Sequence, residues 1–130
     1  MAKQNNKRVI YKALEFDSLM ECRYYKHLEQ QDDVIHIERA EQVEILPGYK
    51  INGKKRQSVK YTPDFIVTYK DGTKRVIELK AKPILIPRDF PIRQKLYEMK
   101  FGMELEVVLP FQTTWLELKE WNKAKRALKK

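Results

Sequence analysis

Residues 61–80 read YTPDFIVTYKDGTKRVIELK, and the way this stretch folds back on itself decides the architecture. Tyr61–Tyr69 and Lys74–Lys80 are rich in β-branched and aromatic residues, and Asp71-Gly72 lies between them as a turn signal, so the pair reads as a β-hairpin. Glu78 and Lys80 are two apart in a strand and share one face. A two-residue loop at Asp71-Gly72 sets Asp64 opposite Leu79, on the other face. A three-residue loop, Lys70-Asp71-Gly72, with Gly72 left-handed in a G1 bulge, sets Asp64 opposite Glu78. The spacing predicts the three-residue loop.

Moving outward, Ser18 and Glu21 have capping-box spacing, and Met20, Tyr24 and Leu28 recur every fourth residue, so a helix starts near Asp17 or Ser18 and fades by Gln31–Asp33. Residues 1–14 read as a loose basic arm. Val34–Glu38 and Gln42–Leu46 read as strands. Pro47-Gly48 breaks the run and Asn52-Gly53 signals a second hairpin. From Ile45 to Pro63 there are Lys50, Lys54, Lys55, Arg56 and Lys60 and no acid, so this segment, with Tyr49 and Tyr61 beside it, reads as an exposed basic wing suited to DNA phosphate contacts, the alternative being a merely solvated face. Pro83 and Pro87 predict an extended connection. Asp89 is placed to cap a helix from Phe90 to about Phe101, with Ile92, Leu96 and Met99 as its buried stripe and Gly102 as its stop. Glu104–Leu109 reads as a strand ended by Pro110. Thr114 and Glu117 repeat the capping box, predicting a last helix with Leu118, Trp121 and Leu128 on its buried side and Lys123, Lys125, Arg126, Lys129 and Lys130 in its tail. Trp115 and Trp121 read as packing residues, and His27 and His36 lack ligand-like partners.

The chain has 130 residues, the length of one domain, with 42% hydrophobic and 35% charged residues. Twenty-seven Lys and Arg against 18 Asp and Glu give a net charge of +9, with a pI near 9.6. A field of that sign attracts polyanions, nucleic acid first among them. The single cysteine, Cys22, excludes an internal disulfide and reads as a small apolar helix residue. No secretory signal and no run of about 20 apolar residues is visible, so the expectation is a cytoplasmic protein with no membrane partner.

Two carboxylates on one face, Asp64 and Glu78, with Lys80 beside them, suit a hard divalent cation such as Mg²⁺ or Mn²⁺, and the Leu79 backbone carbonyl offers a further oxygen. Read singly, Asp64 is a turn residue after Pro63, and Glu78 and Lys80 are the polar face of a strand. Together, Pro63-Asp64 and Glu78-Leu79-Lys80, between a helix bearing Glu21 and a following helix and strand, resemble the PD-(D/E)XK nuclease superfamily. More narrowly, FDSLMECRYY, YTPDFIV, VIELKA and DFPIRQKL are similar to a small branch of phage and prophage proteins of unknown function. Archaeal junction resolvases and the endonuclease subunit of bacterial transposases are more distant look-alikes.

The resemblance implies an α/β fold with a restriction-endonuclease-like αβββαβ core from about Phe16 to Leu109, a mixed sheet flanked by helices, and an extra C-terminal helix. It implies a Mg²⁺-dependent deoxyribonuclease, with Asp64 and Glu78 as ligands, Lys80 assisting the water, and Glu21 completing the metal site, unless Glu21 serves only the capping box. Gln42 is placed near the site or is a sheet-edge polar residue, and Lys95 is a phosphate contact or a surface lysine. The implied partner is DNA, including branched recombination or replication intermediates such as Holliday junctions. A homodimer would supply two sites, and phage or host replication and recombination proteins would be further partners in a bacterial cytoplasm. The alternatives are a catalytically silent DNA-binding module and a nuclease subunit active only in a larger complex.

Overall fold

In the computed structural model, which describes residues 8–129, the chain runs β1 (Val9–Tyr11), β2 (Leu14–Phe16), α1 (Leu19–Glu29), β3 (Val34–Arg39), β4 (Val43–Leu46), β5 (Tyr49–Ile51), β6 (Lys54–Arg56), β7 (Val59–Tyr61), β8 (Phe65–Tyr69), β9 (Lys74–Leu79), a 3₁₀ turn (Pro83–Leu85), α2 (Phe90–Phe101), β10 (Leu105–Phe111), β11 (Thr114–Glu117) and α3 (Leu118–Leu128). Five strands form a mixed sheet in the order β11-β10-β9-β8-β3. Only β9 and β10 are parallel, because α2 carries the chain back across the sheet between them. The α/β class, the mixed sheet flanked by helices and the additional C-terminal helix are as the sequence predicts. No helix among the described residues is long and apolar enough to cross a membrane.

Strand alternation divides the core. Phe65, Val67, Ile77 and Leu79 face α1, where they meet Cys22, Tyr24 and Leu28. Val76 and the inward residues of β10 face the other way, toward Phe90 and Tyr97 of α2, Ile45 of β4 and Trp121 of α3. Buried on both faces, the centres of β9 and β10 read as apolar runs, interrupted by the Arg75–Glu106 ion pair on one face and by the buried Glu78 on the other.

The β8–β9 hairpin has the three-residue loop. Pairing runs from Thr68↔Lys74 to Phe65↔Ile77, Gly72 donates to the Tyr69 carbonyl, and Gly72 has φ +88. The space around Gly72 is open, so only backbone strain opposes a side chain there. Gly72→Ala should therefore cost about 1–2 kcal/mol in urea unfolding; an unchanged midpoint would contradict the left-handed loop.

Ser18 caps α1 as expected, its hydroxyl accepting from the Glu21 N–H at 3.1 Å. Several expectations are corrected. Residues 1–7 of the supposed loose arm lie outside the described residues, as does Lys130, but the rest of that segment is ordered. β1 and β2 pair through a turn at Lys12 and Ala13, both at positive φ, and bring Phe16 into the core. Neither turn residue is of the type that signals such a turn.

Tyr61–Tyr69 is two strands, not one. β7 pairs with β4 and β8 with β3, because the chain breaks around Pro63, which has no N–H for a ladder. The Pro83 connection contains a 3₁₀ turn. Asp89 precedes α2 but makes no side-chain cap; its carboxylate accepts from Arg93 at 2.9 Å instead.

The buried stripe of α2 is Phe90 and Tyr97, with Leu96 packed half-buried beside them as expected, whereas Ile92 and Met99 are 57% and 87% exposed. Gln94 and Glu98 explain the rotation: Gln94 donates to the Leu105 carbonyl and Glu98 accepts from the Leu105 N–H, fixing the start of β10. Pro110 does not end β10, which continues to Phe111 and pairs with β11. Thr114 and Glu117 therefore belong to a strand rather than a capping box, and Trp115 sits on that strand. Leu118 and Trp121 pack inward from α3, but Leu128 is exposed.

Candidate active site

The hairpin register brings Asp64 to the end of β9. Pairing of β8 stops at Phe65; the Asp64 N–H donates to the Ile77 carbonyl at 3.0 Å, and its Oδ2 accepts from the Leu79 N–H at 2.7 Å. The carboxylate thus takes the N–H that a continuing strand would have used. In extended backbone the N–H and C=O of one residue point the same way, so the Leu79 carbonyl opens toward the Asp64 side.

Glu78 and Lys80 share the sheet face that Asp64 joins. Lys80 Nζ lies 3.3 Å from Glu78 Oε2, and the Tyr61 hydroxyl donates to Glu78 Oε1. Glu78 is only 8% exposed, a burial that a carboxylate tolerates when paired and hydrogen-bonded.

Glu21 enters from the first turn of α1, close enough for its charge to act on both Asp64 and Glu78. Burial, then the charge of Asp17, raises its pKa, and Arg39 opposes the shift. Asp64 is pushed up to about 7, first by burial and then by Glu78, with Glu21 adding to the rise and the Leu79 N–H and Lys80 opposing it. This is a cluster of acids whose mutual repulsion a cation would relieve.

Tyr61 is a site residue that the motif around Asp64, Glu78 and Lys80 does not include. Its hydroxyl pKa is raised by burial and by Glu78, so it stays a donor to that carboxylate. The signal was Pro63, which splits the strand and leaves Tyr61 on its own short ladder beside the acids. Gln42 and Lys95 are exposed and make none of the site's hydrogen bonds or ion pairs among the described residues. Lys50, Lys54, Lys55, Arg56 and Lys60 lie on or next to the β5–β6 hairpin, exposed as expected.

The sequence pattern of a family described as "Protein of unknown function (DUF1064)" matches residues 1–119. The chain belongs to the DUF1064 family. No curated protein and no solved structure matches it.

In this DUF1064 chain no group of three or more His, Cys, Asp or Glu side chains is arranged around a common ion position among the described residues. What the site offers a divalent cation is two carboxylates, Asp64 and Glu78, and the Leu79 carbonyl, with Glu21 nearby. An all-oxygen donor set of this kind fits Mg²⁺ or Mn²⁺.

The raised pKa of Asp64 makes a prediction for the metal-free protein. Folding moves the group from 3.8 to about 7, so between those values the folded chain holds a proton that the unfolded chain has released. Stability falls as pH climbs through that window, by on the order of a few kcal/mol. Asp64→Asn keeps an acceptor for the Leu79 N–H and has no proton to lose. Melted in EDTA, the variant should match the wild type at pH 4 and exceed it at pH 8; a variant less stable than the wild type at pH 8 would contradict the assigned repulsion.

Proposed function

We propose that this chain is a metal-dependent DNA endonuclease of the PD-(D/E)XK type, hydrolysing phosphodiester bonds with water as the nucleophile. The observation that carries the reading is the β8–β9 register, which brings the Asp64 carboxylate to the strand end holding Glu78, Leu79 and Lys80. The topology supports it: α1, β3, β8, β9, α2 and β10 follow the αβββαβ order, with β4 to β7 inserted between the first two sheet strands.

Asp64, Glu78 and the Leu79 carbonyl would hold Mg²⁺ or Mn²⁺. When bound, such an ion lowers the pKa of a coordinated water and offsets charge on the phosphate. Lys80 keeps an ammonium beside Glu78, where it can orient a water or neutralise an oxyanion. Tyr61 holds Glu78 in place from the β7 side. Glu21 adds a third acid from α1.

One chain carries one site, so cutting both strands or a symmetric junction takes two copies, simplest as a two-fold homodimer. Branched recombination or replication DNA of a phage, handled in the bacterial cytoplasm alone or with replication and recombination proteins, is the proposed setting.

One observation favours a second reading, a DNA-binding module without turnover: both oxygens of Glu78 are already engaged, by Lys80 and Tyr61. The test is incubation with linear duplex, single-stranded, flapped and four-way DNA in Mg²⁺, Mn²⁺ or EDTA. Metal-dependent cutting of at least one substrate is expected. Tight binding with no cutting of any of them would replace the nuclease by the module.

A further inference from the structure

We infer that the β5–β6 ribbon enters the major groove of B-form duplex DNA, so that the substrate is double-stranded beside the scissile bond. This rests on the nucleic-acid part of the reading above but not on catalysis.

The ribbon pairs Tyr49↔Arg56, Lys50↔Lys55 and Ile51↔Lys54, and all six residues are exposed. Directly paired residues share a face, so Arg56 and Lys54 stand on one side with Tyr49 and Ile51, and Lys50 and Lys55 stand on the other. Among the described residues no carboxylate forms an ion pair with any of the four cations. Lys50 and Lys55 oppose one another directly, a like-charge arrangement that weakens a ribbon unless an anion lies over it.

Cations on both faces select the partner's shape. A single strand lies against one face and leaves the other unsatisfied. A groove with a phosphate wall on each side satisfies both. Two strands about 4.8 Å apart with their side chains fit a major groove about 12 Å wide and not a minor groove about 6 Å wide. The deep, narrow major groove of A-form RNA excludes the ribbon. Tyr49 and Ile51, 53% and 50% exposed, would then face sugars and base edges.

The ribbon is tied to the catalytic end. Its arms cross at Gly48, where an added Cβ would meet the Arg56 carbonyl oxygen at 3.0 Å and the Ser58 nitrogen at 3.2 Å. A side chain there would push the Arg56 and Ser58 backbone back by a few tenths of an ångström. Lys50, Lys55 and Lys60, with Glu44 as the one acid, help line an open cleft of about 730 Å³ at the base. Arg93 of α2 pins β7 by donating to the Lys60 carbonyl at 2.9 Å, and the next residue is Tyr61, the partner of Glu78. Tyr61 is five positions beyond Arg56, a reach of at most about 18 Å, or roughly five base-pair steps along B-DNA.

The test reads binding in EDTA by fluorescence anisotropy, with a DNA duplex, its separate strands and an RNA duplex of the same sequence across a salt series. The wild type should prefer the DNA duplex at least about tenfold over both others, and should protect guanine N7, a major-groove atom, from dimethyl sulfate. Lys50→Gln with Lys55→Gln, and separately Lys54→Gln with Arg56→Gln, should each lower the slope of log affinity against log salt by about 2. Equal affinity for single strands, no N7 protection, or loss confined to one face of the ribbon would overturn the inference. The wild-type comparisons stand even if a variant misfolds. A chain that binds duplex through both faces yet cuts nothing defeats the nuclease reading alone; one that cuts duplex undiminished after losing both faces defeats the ribbon alone.

Discussion

Asp64→Asn should abolish metal-dependent DNA cleavage, by at least about 10³-fold, in a protein that still folds. The Asp64 carboxylate is one of two that would hold the ion, and Asn is a poor replacement for an anionic oxygen ligand of a hard cation. The amide still accepts from the Leu79 N–H, so the strand end keeps its geometry. Lys80→Met tests the other half of the site. It keeps an unbranched apolar stem, one atom shorter, and removes the charge 3.3 Å from Glu78. Losing one positioned charge at a developing oxyanion typically costs about 10²–10³ in rate. Tyr61 still anchors Glu78 in that variant, so the loss should appear in rate more than in metal affinity. Cleavage by Asp64→Asn at the wild-type rate would remove this residue from the site altogether.

The largest effect on stability is expected from Phe65→Ala. Phe65 is 1% exposed, and its ring meets Tyr24 at 5.7 Å and Tyr25 at 6.4 Å. Truncating a buried phenylalanine costs about 3–5 kcal/mol through lost transfer energy and the cavity left behind. That is a large share of the roughly 5–15 kcal/mol that holds a domain of this kind together. Phe65 follows Asp64 directly and packs on the helix that carries Glu21, so the same contact sets the acid of α1 relative to those of the sheet. Urea unfolding measures the cost; a loss below about 1 kcal/mol would mean that α1 is not seated on β8 as described.

How much of this was legible depends on whether the signal was local. The β8–β9 register was, because Gly72 alone tolerates the left-handed turn that a three-residue loop requires, and the register then follows. The cap of α1 was, because the Ser18 hydroxyl takes the Glu21 N–H within one turn. The Asn52-Gly53 hairpin was legible for the same reason.

The failures lie where two local patterns compete and tertiary contacts choose. On α2, Ile92, Leu96 and Met99 have helical spacing, but so do Phe90, Gln94, Tyr97 and Phe101. The second set buries Phe90 and Tyr97 and supplies the side chain that meets the Leu105 carbonyl, so the inward face turns toward it; Leu96 stays packed at the margin of the core and Phe101 stays exposed. Thr114 to Glu117 matches a capping box, but Thr, Trp and Leu also suit a strand, and the exposed edge of β10 was there to pair with it. Tyr61 escaped notice because its partner, Glu78, is distant in sequence; only the break at Pro63 hinted that it belonged to a different strand from Phe65.

The most direct test is to soak crystals of the protein in Mn²⁺ and locate the ion by its anomalous scattering. The expected result is a peak bound by Asp64, Glu78 and the Leu79 carbonyl at about 2.1 Å, with Glu78 turned away from Lys80 toward the ion. No peak at that strand end, with Glu78 still held by Lys80 and Tyr61, would contradict the proposed chemistry.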